Sequence, residues 1–169
     1  MAAGVWIVTR SVNEVMTLAA KAARGAGAPP AQAAQFGAAA AVHLGAGREI
    51  DPLEQALAAL PEGPVILLPL ALMRIAEQGQ GGHISGTVTD ADPALLQSYL
   101  EALPYAARLA DGRLVELDLS RPSARPRLTR IALPDHLFDD WNRLAARLLV
   151  PESEASRLSG AGAGLSDND

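Results

Sequence analysis

Cysteine is absent from this 169-residue chain, which excludes a disulfide framework, a thiol nucleophile and a thiolate metal site. That is compatible with a reducing compartment, and we read the protein as cytoplasmic. Aromatic residues are scarce at 4%, and alanine supplies much of the 49% apolar content, so packing must come from close approach of small side chains. Basic residues are outnumbered: the net charge is −5 and the pI about 5.2, the wrong sign for a phosphate backbone, and no nucleic-acid partner is expected. Long hydrophobic runs are missing as well. The longest, Val65 to Met73, is about half of the ~20 residues that a membrane-crossing helix needs. Met1 to Val8 has no basic residue ahead of its short apolar patch and no room for a signal-peptide core, so neither a membrane nor a secretory route is expected.

What is present suits a soluble globular domain. Tyr105 to Leu119 is the organising stretch, two alternating segments around Asp111-Gly112, the pair that best tolerates the positive φ of a type I′ turn. In that register Tyr105, Ala107 and Leu109 share a face with Val115, Leu117 and Leu119, and Arg108, Glu116 and Asp118 take the other. A two-stranded ribbon is marginal alone, so other elements must cover its apolar face.

Ser11-Val12-Asn13-Glu14 is a capping box, followed by Val12, Val15, Met16, Ala19, Ala22 and Ala23 at helical spacing until Gly25 and Gly27. This predicts a helix over 12–24. Pro29-Pro30 opens a second helix with Ala33, Gly37, Ala41 and Gly45 every fourth residue, a ridge that lets another helix approach closely. Asp51-Pro52-Leu53-Glu54 opens a third helix, with Asp51 expected as its cap, ending before Pro61. Three alanine-rich helices thus precede the first expected strand. Val65 to Leu68 reads as a buried strand, and Pro69 to Gln78 as a helix opened by Pro69 or a strand bent by it. Gly79 to Gly82 breaks the chain. His83 to Val88 reads as a strand, Asp92-Pro93 caps a short helix to Leu103, and Leu128 to Leu133 is a further strand.

Asp135 is expected to cap the best amphipathic helix, with Leu137, Phe138, Trp141, Leu144, Ala145, Leu148 and Leu149 on one face. Asp139 and Arg143 are spaced for a helical ion pair worth ~0.2–0.5 kcal/mol. This helix is the candidate cover for the hairpin. The expected class is α+β, with alanine-rich N-terminal helices followed by a mostly antiparallel sheet covered by a C-terminal amphipathic helix. One domain spans 1–157, helical over 11–60 and built of sheet and helices over 64–149, and a Gly/Ala-rich acidic tail spans 158–169. No internal repeat is evident.

Candidate chemistry is sparse. His43, His83 and His136 are the three histidines, too scattered for a local metal motif, and no metal or cofactor is expected. A site assembled in three dimensions could add Asp135 or Asp139, but Asp135 and His136 point ~100° apart on a helix and Asp135 suits a cap better. No nucleophile elbow, P-loop or zinc signature is present. Gly160 to Gly164 has the composition of a phosphate loop without the strand before it or the helix after it. Arg121, Arg125, Arg127 and Arg130 form the one basic cluster, able to clamp a carboxylate or phosphate or to receive the acidic tail of this chain or of a neighbour. A solvated edge strand, protected from aggregation by charge and proline, suits them better. Lys21 and Arg24 complement the dipole at the end of the first helix.

Ser11-Val12-Asn13-Glu14-Val15, Lys21-Ala22-Ala23-Arg24-Gly25-Ala26-Gly27 and the ending Gly160-Ala161-Gly162-Ala163-Gly164-Leu165-Ser166-Asp167-Asn168-Asp169 together carry a resemblance. The chain resembles an uncharacterised family of bacterial proteins of unknown function with a similar start and a similar end. The resemblance covers the two ends, not the middle, and implies no activity. It implies that the tail belongs to the natural pattern. Where family members carry bulkier residues after Gly27, this chain has Ala28-Pro29-Pro30.

Two functional classes follow. The first is a non-catalytic accessory or protein-interaction protein, binding another polypeptide or a second copy through the alanine-rich helices and the Glu152 to Asp169 segment, a tail that presents Glu154, Arg157, Leu165, Asp167 and Asp169. The second is a small enzyme or ligand-binding protein, with the Arg121 to Arg130 cluster holding an anionic small molecule and a His or Asp moving a proton.

Overall fold

A computed structural model describes residues 8–79, 82–124 and 128–149. Among them are six helices, five strands and one 3₁₀ turn. The order is β1 (Val8–Ser11), α1 (Val12–Gly25), α2 (Pro30–Gly45), α3 (Asp51–Ala58), α4 (Pro64–Glu77), β2 (His83–Thr87), α5 (Pro93–Glu101), β3 (Tyr105–Ala110), β4 (Leu114–Pro122), β5 (Arg130–Leu133) and α6 (Asp135–Ala145), closed by the 3₁₀ turn Ala146–Leu148. The class is α+β with antiparallel pairing throughout, as expected.

The strands form two sheets, one in the order β2-β4-β3 and one of β1 with β5. The β3–β4 hairpin turns where its sequence says it should. Asp111 and Gly112 both have positive φ, 50° and 69°, and the Arg113 amide donates to the Ala110 carbonyl at 3.2 Å. The ladder resumes at Ala110 opposite Leu114, so Arg113 is an extra residue in the turn. Ala107 lies opposite Leu117 and Leu109 opposite Val115, and on the other face Arg108 bonds Glu116 at 2.6 Å. The expected alternation fails at the far end. A register shift after Tyr105 leaves Leu119 39% exposed and Asp118 buried.

The helix on β3 is α5, not α6 as the sequence led us to expect; α6 lies mainly against α1. Helix α4 covers β2, where Gly86 leaves just enough room for the Ile75 side chain. Both residues of the expected Leu148–Leu149 face are exposed, and Leu137 and Trp141 are the side chains of α6 that are buried.

Helices α1 and α2 pack tightly through the small-residue ridge. A Cβ at Gly37 would strike the Met16 carbonyl oxygen and sit 3.0 Å from the Ala20 Cβ, so only hydrogen fits there. Around this contact Ala19, Ala22, Ala33 and Ala40 are fully buried, with Phe36 supplying bulk.

Three further expectations are corrected. Val65 to Leu68 is helix, not strand, and of the stretch Pro69 to Gln78 all but Gln78, the C-cap, continues it with Pro69 inside. The start is set by Gly63 at φ 78° and Pro64 at the first helical position, while the all-round apolar sequence shows no helical period to read. A strand, β1, precedes the first helix and pairs with β5 from Val8 opposite Leu133 to Ser11 opposite Arg130. Asp51 and Asp135 are the first residues of their helices, after Ile50 and Pro134, and neither makes a side-chain cap bond. The capping box of Ser11 and Glu14 and the Asp92 cap on the Leu95 amide at 2.8 Å are formed as expected.

Candidate functional site

A groove of about 690 Å³ opens between α1 and the α6–3₁₀ segment. Its geometry follows from two contacts. At one end the Arg10 guanidinium stacks over the Phe138 ring, 3.6 Å from its centre. At the other, Gly25 lies against the Leu144 carbonyl, so α1 and α6 run side by side in the same direction. One wall is the polar side of α1, where Asn13, Thr17 and Lys21 recur at four-residue spacing because the opposite side, Val15, Ala19, Ala22 and Ala23, is committed to the core. The other wall is Phe138, Asn142, Ala145, Ala146 and Leu149.

The charges in the groove are not balanced internally. Glu14 lines it, but its carboxylate accepts the Ser11 amide at 2.8 Å. Bonds with the Ser11 side chain and amide, helped by the charges of Arg10 and Arg130, hold it below the usual carboxylate range. Neither Arg10 nor Lys21 makes an ion pair among the described residues, and the Arg10 Nε is buried without a hydrogen-bond acceptor. Asn142 is occupied by the Phe138 carbonyl at 2.8 Å. The groove thus offers two cations that form no salt bridge among the described residues, Arg10 and Lys21, beside apolar surface.

A second polar constellation lies in the core. His43 on α2 and Ser98 on α5 are fully buried, with Nδ1 and Oγ 2.8 Å apart. The Glu49 carbonyl, 2.6 Å from Nε2, requires the proton on that nitrogen, so Nδ1 accepts from the Ser98 hydroxyl. The Ala94 carbonyl, 2.8 Å away, is the hydroxyl's alternative acceptor. Arg48 donates to Ser98 Oγ at 2.8 Å and to Glu101 at 2.7 Å, and Gln97 adds 2.8 Å to the same carboxylate. Burial pushes the His43 pKa down, and Arg48 pushes the same way against the Glu49 carbonyl. Burial raises Glu101, but its bonds from Arg48 and Gln97 win and leave it lowered. The pair has the composition of a nucleophile and base, yet both members are sealed in, so it staples α2 to α5.

The other residues singled out from sequence are dispersed. Arg121 is exposed near the end of β4; the Asp118 pKa is lowered first by the hydrogen bonds of Ser120, with the charge of Arg121 a minor contribution. Arg130, on β5 in the other sheet, donates to the Thr9 carbonyl at 2.6 Å and hydroxyl at 2.9 Å. Arg125, Arg127, Glu154, Arg157, Leu165, Asp167 and Asp169 lie outside the described residues. The histidines stay apart. His83 lies 3.5 Å from Asp118, whose other oxygen accepts the Ser120 hydroxyl at 2.5 Å, and His136 lies 3.7 Å from Glu54. Asp139 does not pair with Arg143, which bonds Asp140 instead. No group of three or more potential metal ligands occurs among the described residues.

Sequence reasoning assigned Lys21 to the helix dipole and gave Arg10 no role. The spacing of Asn13, Thr17 and Lys21 was a legible polar stripe, but its opposition to Phe138 and Asn142 depends on α6 returning to α1. An apolar cleft of about 350 Å³ between α4 and α5 was also missed. Met73, Tyr105 and Tyr99 line it, and burial raises the Tyr99 pKa.

No helix among the described residues is long and apolar enough to cross a membrane. No protein-family model matches this chain, and no curated protein or solved structure matches it either.

Proposed function

We propose that this protein is a non-catalytic accessory protein of the reducing bacterial cytoplasm that acts by binding polypeptide. It uses the α1–α6 groove and the segment 152–169 that follows it. The observation that carries the reading is the pair of cations Arg10 and Lys21, without a salt bridge among the described residues, set beside Phe138, Leu18 and Leu149 in one open groove. Cations flanked by apolar surface are what an acidic peptide with occasional apolar side chains requires. The resemblance of the tail to that of an uncharacterised bacterial family supports treating it as a working part. Two facts rank a small-anion site at the arginine cluster lower: Arg121 and Arg130 belong to different sheets, and Arg130 is spent on Thr9.

The test is a bait experiment with the whole chain beside a version ending at residue 157. Partner recovery should fall when 158–169 is removed. Equal recovery from both would count against the reading.

A further inference from the structure

We infer that the outer edge of β2 is a seat for an extended polypeptide, which adds to the sheet as a further strand and lays alternate side chains against the flank of α4. The strand it takes carries an apolar residue opposite Val88 and an acidic one opposite Gly86. This goes beyond the α1–α6 groove and does not depend on it.

The hydrogen-bond phase of β2 shows which groups are free. The Leu119 amide donates to the Gly82 carbonyl at 2.8 Å, and the Val88 amide donates to the Arg113 carbonyl at 2.9 Å. Bonded and non-bonded residues alternate in an antiparallel pair, so Gly82, Ile84, Gly86 and Val88 bond toward β4. His83, Ser85 and Thr87 therefore turn their amides and carbonyls to the outer side. All three residues are exposed, and those groups have no hydrogen-bond partner among the described residues.

The two edges of this sheet are not defended alike. β3 carries the Arg108 charge and a register shift at Tyr105, both of which discourage a further strand. β2 reads His83-Ile84-Ser85-Gly86-Thr87, with no proline, carboxylate, lysine or arginine and an unbroken register. Such an edge is a template for pairing.

Helix α4 supplies the second surface. Ile75 meets Gly86, and Gly79, just past the helix, meets Ile84, so α4 and β2 run in opposite directions. Four helical residues advance ~6 Å and two strand residues ~7 Å, which sets Ala71 level with Val88 and Arg74 level with Gly86. Leu67, Ala71 and Arg74, at i, i+4 and i+7, share one flank. The other flank, with Leu72, Met73 and Ala76, lines the cleft toward α5. Leu67 and Ala71 instead line a cavity of about 380 Å³ with Thr87 and Val88, at the end of the free edge. Leu67 is 61% exposed, and Arg74 makes no ion pair among the described residues.

These surfaces specify the occupant. An added strand turns side chains toward α4 at the positions opposite Ile84, Gly86 and Val88. An apolar side chain opposite Val88 enters the cavity beside Leu67 and Ala71, and a carboxylate opposite Gly86 meets Arg74. A second copy does not fit. Because α4 packs on β2 itself, a copy joined edge to edge brings its own α4 over the next strand, ~4.8 Å away, where packed helices need ~8–10 Å. The seat takes a strand that has no helix above it.

The test is a titration of the full chain with a capped peptide that alternates threonine with valine, one central valine being replaced by glutamate, with backbone amide exchange followed by NMR. In the free chain the amides of His83, Ser85 and Thr87 should exchange fast, and those of Ile84, Gly86 and Val88 slowly. Millimolar peptide should slow the first three. The same peptide N-methylated on its threonine amides, the ones that face β2, should not. Ser85→Pro, at an edge position where proline is tolerated, should abolish the protection of His83 and Thr87. Arg74→Glu, an exposed position, should weaken binding ~5-fold, and a peptide with lysine in place of its glutamate should recover it.

No protection of the three amides, equal protection by the N-methylated peptide, or an affinity indifferent to the charge swap overturns the inference. Protection that grows with the concentration of the chain alone assigns the edge to a second copy and overturns it as well. Peptide shifts confined to Lys21 and Phe138 defeat the edge while favouring the α1–α6 groove. Protection of the edge with partner recovery unchanged on deletion of 158–169 supports the edge and counts against the proposed function.

Discussion

His43 Nδ1 and Ser98 Oγ lie 2.8 Å apart in the interior, and Arg48 closes on the same hydroxyl from the other side at 2.8 Å. One oxygen therefore holds α2, the loop after it and α5 together. Ser98→Ala would leave the Nδ1 lone pair and an Arg48 N–H without partners, at ~1–3 kcal/mol for a buried unsatisfied group. Urea denaturation should show that loss with an unchanged slope. A loss below ~0.5 kcal/mol would mean that water reaches the site and the staple is dispensable.

Titration of the same histidine gives stability a direction with pH. Burial places the folded-state pKa of His43 below the ordinary imidazole value of about 6.5, so the unfolded chain binds the extra proton first as pH falls. The stabilisation is fully present above 6.5 and is lost as pH drops from there through the lower folded-state pKa. Thermal melts should be flat from about pH 8 to 7 and decline below about 6.5, ahead of the carboxylate range. His43→Gln, if folded, should flatten the slope between about pH 6.5 and 5.5; an identical slope would assign it to other groups.

Local signals were the readable ones. The Asp111-Gly112 turn, the Ser11–Glu14 box and the Asp92 cap each involve residues within four positions, and all three formed. Distance in sequence hid the rest. β1 finds its partner β5 some 120 residues later, so Val8 to Arg10 carried no local strand signal and Ser11 read only as part of a helix cap. α4 carries apolar residues on every side, which erases the period that separates helix from strand. The groove failed for the same reason. Arg10 and Lys21 sit on one local element, but what makes them a site is Phe138 and Asn142 arriving from the far end of the chain.

Gly37 tests how tight the small-residue ridge is. In an open helix Gly→Ala stabilises by ~1 kcal/mol. Here the added methyl meets the Met16 carbonyl and the Ala20 backbone nitrogen at 3.2 Å, groups that can move only if the helices separate. Gly37→Ala should therefore destabilise, by ~1–3 kcal/mol, with the melting temperature falling several degrees. A melting temperature that rises would mean that α1 and α2 pack less closely than this.

Four helix starts carry a Ser or Asp of the kind that caps helices, and their geometry divides them in two. Ser11 accepts the Glu14 amide at 3.2 Å, and Asp92 accepts the Leu95 amide at 2.8 Å. Asp51 and Asp135 sit one residue further in, where the side chain makes no cap bond and acts only through its charge near the helix dipole. Ser11→Ala and Asp92→Ala should each cost ~0.5–2 kcal/mol, because an orphan amide loses its acceptor. Asp51→Asn and Asp135→Asn should cost less, at most ~1 kcal/mol, and that cost should shrink as salt screens the charge, while the Ser11 loss should not and the Asp92 loss should keep its hydrogen-bond part at high salt. Urea midpoints at low and high salt separate the classes, and a salt-insensitive loss at Asp51 or Asp135 would show that those carboxylates cap after all.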